Sequence, residues 1–130
     1  MGSGTGKDSA ADRAALPAGT VTFLFTDIEG STRRWEAFPV DMARCVADHD
    51  RLLRGAVVEA GGFVVKSTGD GLMAVFDNAD AALVAARAGQ VALTAQDWAP
   101  VPPLRVRMGI HQGRVEPSGD DYFGVPVNRA

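Results

Sequence analysis

The chain has 130 residues, of which 46% are apolar and 22% are charged. This length and balance predict one globular domain, because folding of a chain this size removes about two thirds of its surface from water and leaves no second core. The net charge of −3 excludes the basic surface that binding to nucleic acid or to an acidic membrane requires. The single cysteine, Cys45, excludes an intramolecular disulfide and a cysteine-based zinc cluster, and it favours the reducing cytoplasm.

Residues 1–19 are predicted to form a flexible polar tail, and residues 20–130 the folded domain. The tail contains no apolar core of the length that a signal peptide needs. No later stretch reaches the roughly 18 to 20 uncharged residues of a membrane span. No membrane contact is therefore expected for this segment.

The first half of the domain is predicted to contain one strand and two helices. From Thr20, a β-branched and aromatic run without helical period is typical of a buried central strand, which is expected to end at Asp27. A short helix follows, with Ser31 and Thr32 as possible N-cap hydroxyls, and Pro39 stops or bends it. Apolar residues at three- and four-residue steps then predict a helix from Met42 to Ala60.

A β-hairpin and a second long helix are predicted next. Two short strands, 63–68 and 72–76, are joined by Gly69-Asp70-Gly71, which favours a tight turn. Asn78 is expected to cap an alanine-rich helix that runs to about Trp98.

The last elements complete a mixed order of strands and helices. Alternating apolar and polar residues from Leu104 to Ile110 predict a strand, which residues 113–116 continue or pair with. Residues 125–130 are typical of the start of a third helix. The order predicts an α+β fold, a ferredoxin-like or palm-type sandwich in which a mainly antiparallel sheet carries helices on one face.

Two carboxylates are candidates for binding metal ions. Each has an ordinary explanation, because Asp27 could cap a turn where the strand surfaces and Asp70 fits the Asp-Gly pair of a tight hairpin. Their combination with the Gly30-Ser31-Thr32 segment is more specific. Paired carboxylates hold divalent cations, and unpaired N–H groups donate hydrogen bonds to phosphate oxygens, so the set indicates nucleotide chemistry.

Lys66 is the only lysine outside the tail, and it interrupts an otherwise apolar strand. Either a compact cationic donor is needed there or the position faces solvent. His111 lies in the alternating strand and is expected to satisfy a local hydrogen bond. Trp35 and Trp98 are expected to pack in the core.

Four segments stand in order along the chain: Phe25–Thr32, Lys66–Gly71, Met108–Gly113 and Asp121–Asn128. Together they resemble the class III nucleotidyl cyclases, most closely the bacterial adenylate cyclase type. The resemblance spans residues 20–130, and the cyclase fold and activity are expectations that follow from it.

The resemblance implies that Asp27, Asp70 and the backbone carbonyl of Ile28 bind two Mg²⁺ or Mn²⁺ ions. One ion would lower the pKa of the ribose 3′-hydroxyl for attack on the α-phosphate, and the other would neutralise the triphosphate and the departing pyrophosphate. The residues implied to bind the phosphates are Gly30, Ser31 and Thr32, through backbone N–H groups, and Arg107, through its side chain.

The resemblance also implies that Lys66 and Asp121 read the base. Adenine presents an acceptor at N1 and a donor at the 6-amino group, which Lys and Asp complement, whereas guanine reverses both. ATP is therefore the expected substrate. In this family the site lies between two subunits, the metal ligands in one and the base readers and Asn128 in the other, so a homodimer is implied, and fused regulatory domains are expected.

The family also carries a transition-state arginine four residues after Asn128, a position beyond Ala130. The chain is therefore expected to be incomplete at its C-terminus, weak or inactive by itself, and prone to aggregation at an unpaired sheet edge. The alternative function is a catalytically incompetent cyclase-like module that binds nucleotide or dimerises to regulate an attached domain. Another palm-like phosphoryl-transfer enzyme would explain the two carboxylates but not Lys66 and Asp121.

Overall fold

The computed structural model describes residues 19–115. The predicted helix at 125–130 and the predicted site residues Asp121 and Asn128 lie outside the described residues. The elements in chain order are β1 (Gly19–Ile28), α1 (Ser31–Ala37), α2 (Pro39–Glu59), β2 (Phe63–Ser67), β3 (Gly71–Phe76), α3 (Ala79–Ala95) and β4 (Val106–Val115).

The four strands form one sheet in the order β2-β3-β1-β4, and every neighbouring pair is antiparallel. Helices α1 and α2 connect β1 to β2, and α3 connects β3 to β4. This is the β-α-β-β-α-β succession of ferredoxin-like domains. The predicted α+β fold with a mainly antiparallel sheet is confirmed.

β1 is the central strand, and it is longer than predicted. Its ladders with β3 and β4 continue through Asp27, which is paired with Gly71 on one side and with Arg107 on the other. Because both neighbours supply hydrogen-bond partners to the end, the strand ends at Ile28 rather than at Asp27.

Side chains alternate between two apolar layers on the two faces of the sheet. On the helix-covered face, Leu24 and Phe76 belong to the same core cluster as Leu53 of α2 and Leu93 of α3. A second cluster on the other face contains Val21, Phe23, Met73, Val75 and Val115, all at most 4% exposed. Burial of β1 on both faces explains its continuous apolar run.

Further element boundaries differ from the predictions. α1 ends at Ala37, two residues before Pro39, as predicted, but Pro39 also begins α2, because a helix tolerates proline in its first turn, where the missing N–H has no partner to lose. α3 ends at Ala95, and Trp98 folds back so that its indole Nε1 donates to the Leu93 carbonyl at 2.9 Å. β4 begins at Val106 and runs unbroken to Val115, so residues 113–115 continue the strand.

The helices differ in how their N-termini are satisfied. The Asn78 side chain accepts a hydrogen bond from the Ala81 N–H at 2.8 Å, as predicted for the cap of α3.

Trp98 is buried as expected, whereas Trp35 on α1 is 37% exposed, which contradicts the prediction that it packs in the core. Within residues 19–115, none of the helices is long and apolar enough to cross a membrane.

Candidate functional site

A cavity of about 480 Å³ opens where β1 ends. Its wall contains all the predicted metal ligands and all the predicted phosphate-binding residues, which come from β1, the start of α1, the β2–β3 turn and β4. These residues are Asp27, Ile28, Gly30, Ser31, Thr32, Asp70 and Arg107. The remaining wall residues are Arg33 and Glu36.

Strand pairing brings the two carboxylates together although they are far apart in the chain. Asp27 is paired with Gly71, the residue after Asp70. The Ile28 N–H donates to the Asp70 carbonyl at 2.8 Å, which joins the end of β1 to the hairpin turn. Gly69 supports this turn with a φ of +92°, a conformation that side chains other than glycine rarely adopt.

Gly71 is required where the hairpin meets β1. A Cβ atom at this position would lie 2.5 Å from the Thr26 carbonyl oxygen, which is backbone and cannot move aside as a flexible side chain could. The close approach of β3 to β1 therefore depends on a residue without a side chain. The same two backbones carry Asp27 and Asp70.

The chain turns from β1 into α1 through Gly30, which is the N-cap with φ 67° and ψ 30°. Among the described residues, no side chain caps α1, because Ser31 and Thr32 lie inside the first turn and not before it. The N-cap role predicted for their hydroxyls is therefore wrong.

Arg107 makes a bidentate ion pair with Asp27. Its Nε donates to Oδ1 at 2.9 Å, and its Nη2 donates to Oδ2 at 2.6 Å. The hydrogen bond to Asp27, and then its charge, raise the pKa of the Arg107 guanidinium above its usual range. Both side chains are exposed to solvent, so water screens the ion pair and Arg107 can exchange this partner for another anion.

The donor set of the cavity fits a hard divalent cation. Two carboxylates and a backbone carbonyl supply oxygen ligands, which Mg²⁺ and Mn²⁺ prefer. Among residues 19–115, no three Asp, Glu, His or Cys side chains lie close enough to hold a metal ion by themselves. The residues therefore fit an ion whose shell is completed by phosphate oxygens and water, as Mg²⁺ is usually bound with nucleotides.

Lys66 lies apart from this cavity. It is on β2, which is separated from β1 by β3, and its side chain is exposed. A β-bulge between Val64 and Lys66 pairs Lys66 with Met73, a member of the cluster on the face away from the helices. The extra residue of a bulge changes where the following side chain points. No residue pattern in the strand predicted this bulge.

His49 is buried in the stripe of α2 that faces the sheet, at 0% exposure. In the described part of the protein, neither ring nitrogen has a hydrogen-bond partner. Burial lowers the pKa of the imidazole, and the negative charges of Asp50 and Asp70 oppose this only in part. The ring is therefore held neutral in the core, where a positive charge would be costly.

Acidification is expected to destabilise the domain through His49. The pKa of His49 is lower in the folded than in the unfolded protein. The stability that the neutral imidazole gives is therefore complete above about pH 6.5, and it is lost as the pH falls from there towards the pKa of the folded state. His49→Leu should flatten this part of the curve in urea unfolding experiments at a series of pH values. His111, the only other histidine, is half-buried on β4, and His111→Gln is the matched control. A slope that His49→Leu leaves intact would contradict the assignment.

Two charged residues of the cavity wall, Arg33 and Glu36, and one beside it, Arg34, were missed by the sequence reasoning. Glu36 lies one helical turn after Thr32, so the four-residue spacing could have placed it on the same face of α1. Arg34 donates hydrogen bonds to the main-chain carbonyls of Pro102 and Pro103, which are 68 and 69 residues away in the sequence. No local sequence pattern predicts such distant partners.

Residues 14–130 match the family model described as the adenylate and guanylate cyclase catalytic domain. The chain belongs to this family. Among curated relatives, this cyclase domain is 35% identical to an adenylate cyclase of Podospora anserina over 88% of the chain and 6% of that protein. It is 36% identical to an uncharacterised protein of Mycobacterium tuberculosis over 87% of the chain and 38% of that protein. The chain therefore spans well under half the length of these relatives.

Solved cyclase structures share the fold of this cyclase domain. An adenylate cyclase from Trypanosoma brucei in its monomeric state superposes with a TM-score of 0.72 at 28% identity, over 78% of this chain and 60% of that chain. The guanylate cyclase domain from Catenaria anguillulae in complex with GTP gives a TM-score of 0.66 at 20% identity, over 72% and 56%, and supports the fold alone.

Proposed function

We propose that this cyclase domain is an adenylate cyclase, which converts ATP to 3′,5′-cyclic AMP and pyrophosphate by two-metal-ion catalysis at a homodimer interface. The observation that carries the proposal is the single cavity shared by Asp27, Asp70, Arg107 and the Gly30–Thr32 segment. A structural role alone would not require two carboxylates, a bidentate arginine and a strand-to-helix turn around one open space.

In this mechanism, the Asp27 and Asp70 carboxylates and the Ile28 carbonyl hold two Mg²⁺ or Mn²⁺ ions. When bound, the ions make the 3′-hydroxyl more acidic and neutralise charge on the triphosphate. The backbone N–H groups from Ile28 to Thr32 orient the phosphates. The 3′-oxygen attacks the α-phosphorus, the bond from that phosphorus to the pyrophosphate oxygen breaks, and the proton of the 3′-hydroxyl passes to solvent water.

Arg107 is proposed to change partners when nucleotide binds. In the free domain it neutralises Asp27 through two hydrogen bonds. A guanidinium binds phosphate oxygens with the same paired geometry that it uses for a carboxylate. Transfer from Asp27 to the phosphates would therefore free the carboxylate for a cation and add a positive charge beside the leaving group.

The base readers are proposed to act on the site of a second copy. Lys66 is two strands away from Asp27, which corresponds to about 10 Å across the sheet. As the cyclase resemblance implies, a base bound at Lys66 and Asp121 of one copy would accompany phosphates held by the partner, and Asn128 would come from the same copy as the base readers. This arrangement supports a homodimer with composite sites. The free, buried Cys45 is compatible with a cytoplasmic protein.

The experiment that tests the proposal is identification of the product after incubation of the full-length form of the protein with Mn²⁺ and either ATP or GTP, because the chain by itself is expected to be weak or inactive. Cyclic AMP from ATP is expected, with much less cyclic GMP from GTP. Nucleotide binding without any cyclic product would instead favour the non-catalytic module that regulates an attached domain. Preferential formation of cyclic GMP would contradict the roles given to Lys66 and Asp121.

Mixing two inactive variants tests the composite site. Asp27→Ala and Lys66→Ala should each be inactive, and their mixture should recover about a quarter of the activity, because half of the dimers would be mixed and each would have one intact site. Failure of every such mixture to recover activity would contradict the shared site.

A further inference from the structure

The strongest feature that the proposed function leaves unused is Arg34 on α1. Its guanidinium donates three hydrogen bonds to main-chain carbonyls: Nε to Glu29 at 3.2 Å, Nη1 to Pro102 at 2.7 Å and Nη2 to Pro103 at 2.9 Å. Glu29 directly precedes the turn at Gly30. Pro102 and Pro103 belong to the segment that leads into β4.

We propose that Arg34 is a positioning residue that ties the Ile28–Thr32 loop to the start of β4 and so fixes the phosphate-binding backbone relative to Arg107. The inference rests on the proposed function, because it assigns a task to the loop that would bind the phosphates. Arg34 does not line the cavity that contains Asp27, so it acts through the Glu29 and Gly30 backbone.

The surrounding contacts show why the attachment of the Ile28–Thr32 loop to the start of β4 depends on Arg34. One main-chain bond crosses the same gap, from the Glu29 N–H to the Arg105 carbonyl at 2.7 Å. This bond and the neighbouring β1–β4 ladder, which ends at the Ile28–Val106 pair, hold only the first residues of the loop. The three bonds of Arg34 add contacts on both sides of that point, so they restrict both the tilt of α1 and the spacing between the loop and β4.

The chemistry of the partner segment also favours an arginine. Proline has no N–H, so Pro102 and Pro103 offer carbonyls but cannot donate to a neighbouring strand. A planar guanidinium with several donors can satisfy two successive carbonyls and a third on the opposite side at once. The ammonium group of lysine is a single compact donor centre and could reach only part of this set.

The test compares Arg34→Gln with Arg44→Gln as the matched control. Arg44 on α2 also bonds to a carbonyl of the same connecting segment, from Nη2 to Ala99 at 3.0 Å, but it does not touch the loop. Both variants therefore lose an arginine-to-carbonyl bond to residues 99–103. Protection of the buried Cys45 thiol from a thiol reagent verifies that each variant is folded.

Two measurements on the whole chain decide the proposal. In the free protein, hydrogen exchange at the amides of residues 28–32 should accelerate about tenfold in Arg34→Gln and remain unchanged in Arg44→Gln. With Mn²⁺-ATP, the KM of Arg34→Gln should rise about tenfold, with a smaller fall in kcat. Arg34→Lys should give intermediate values for both, because it restores part of the bonding.

Unchanged exchange at residues 28–32 in Arg34→Gln would overturn the proposal. Equal acceleration in Arg44→Gln would also overturn it, because the effect would then be a general loosening of the connecting segment. If the full-length form of the protein forms no cyclic nucleotide, the proposed function fails, but hydrogen exchange still decides whether Arg34 holds the loop. The dissociation constant of Mn²⁺-ATP then replaces KM as the second measurement.

Discussion

Asp27→Asn is expected to lower cyclic AMP formation at least about 100-fold, because an amide is a far weaker ligand for Mg²⁺ or Mn²⁺ than a carboxylate. The substitution keeps the size of the side chain and one acceptor for Arg107. It should leave the fold intact, since the ion pair that it weakens is exposed to solvent. Product formation and Mn²⁺ binding, followed by electron paramagnetic resonance with ATP present, are the two measurements.

Asp48→Asn is the matched control for this experiment. Asp48 accepts a hydrogen bond from Arg51 at 3.4 Å on α2, so its replacement also breaks an arginine–carboxylate contact, but away from the cavity. Activity and Mn²⁺ binding should remain unchanged in this variant. Full Mn²⁺ affinity in both Asp27→Asn and Asp70→Asn would contradict the metal assignment.

Gly71→Ala is expected to reduce the free energy of unfolding by about 1 to 3 kcal/mol, the usual cost of forcing extra volume into a packed region. The added Cβ would lie 2.5 Å from the Thr26 carbonyl oxygen, so β1 and β3 would have to separate. Because their ends carry Asp27 and Asp70, the affinity for Mn²⁺-ATP should fall as well. Urea unfolding and a nucleotide-binding titration measure the two effects.

Gly109→Ala provides the comparison. Gly109 is also paired with β1, opposite Phe25, but a Cβ there would meet no heavy atom of residues 19–115 within 4 Å. Its free energy of unfolding should change by no more than about 0.5 kcal/mol. Equal destabilisation of the two variants would mean that the close approach at Gly71 has no special role.

The fold could be predicted because its main signals are local. The apolar run of β1, the Gly69-Asp70-Gly71 turn and the stripe of α2 each specify one element through a short stretch of sequence. Helix and strand ends were less accurate, as at Trp98, where a tertiary hydrogen bond to Leu93 replaces a further helical turn.

The predicted metal and phosphate residues line one cavity because antiparallel pairing aligns the end of β1 with the β2–β3 turn. The side-chain contacts between residues that are far apart in the sequence could not be predicted. Arg107 bonds to Asp27 over 80 residues, and Arg34 bonds to Pro103 over 69. Such partners become visible only once the backbone has placed them together. The roles given to Asp121 and Asn128 stay predictions.

The backbones that carry the two carboxylates differ in stiffness. Asp27 belongs to a strand with hydrogen-bonded neighbours on both sides, whereas Asp70 lies in a turn flanked by Gly69 and Gly71 and joined to β1 by one bond from Ile28. When ions of different radius bind, the β2–β3 turn that carries Asp70 would therefore shift more than β1. Exchanging Mg²⁺ for the larger Mn²⁺ should move Asp70 more than Asp27.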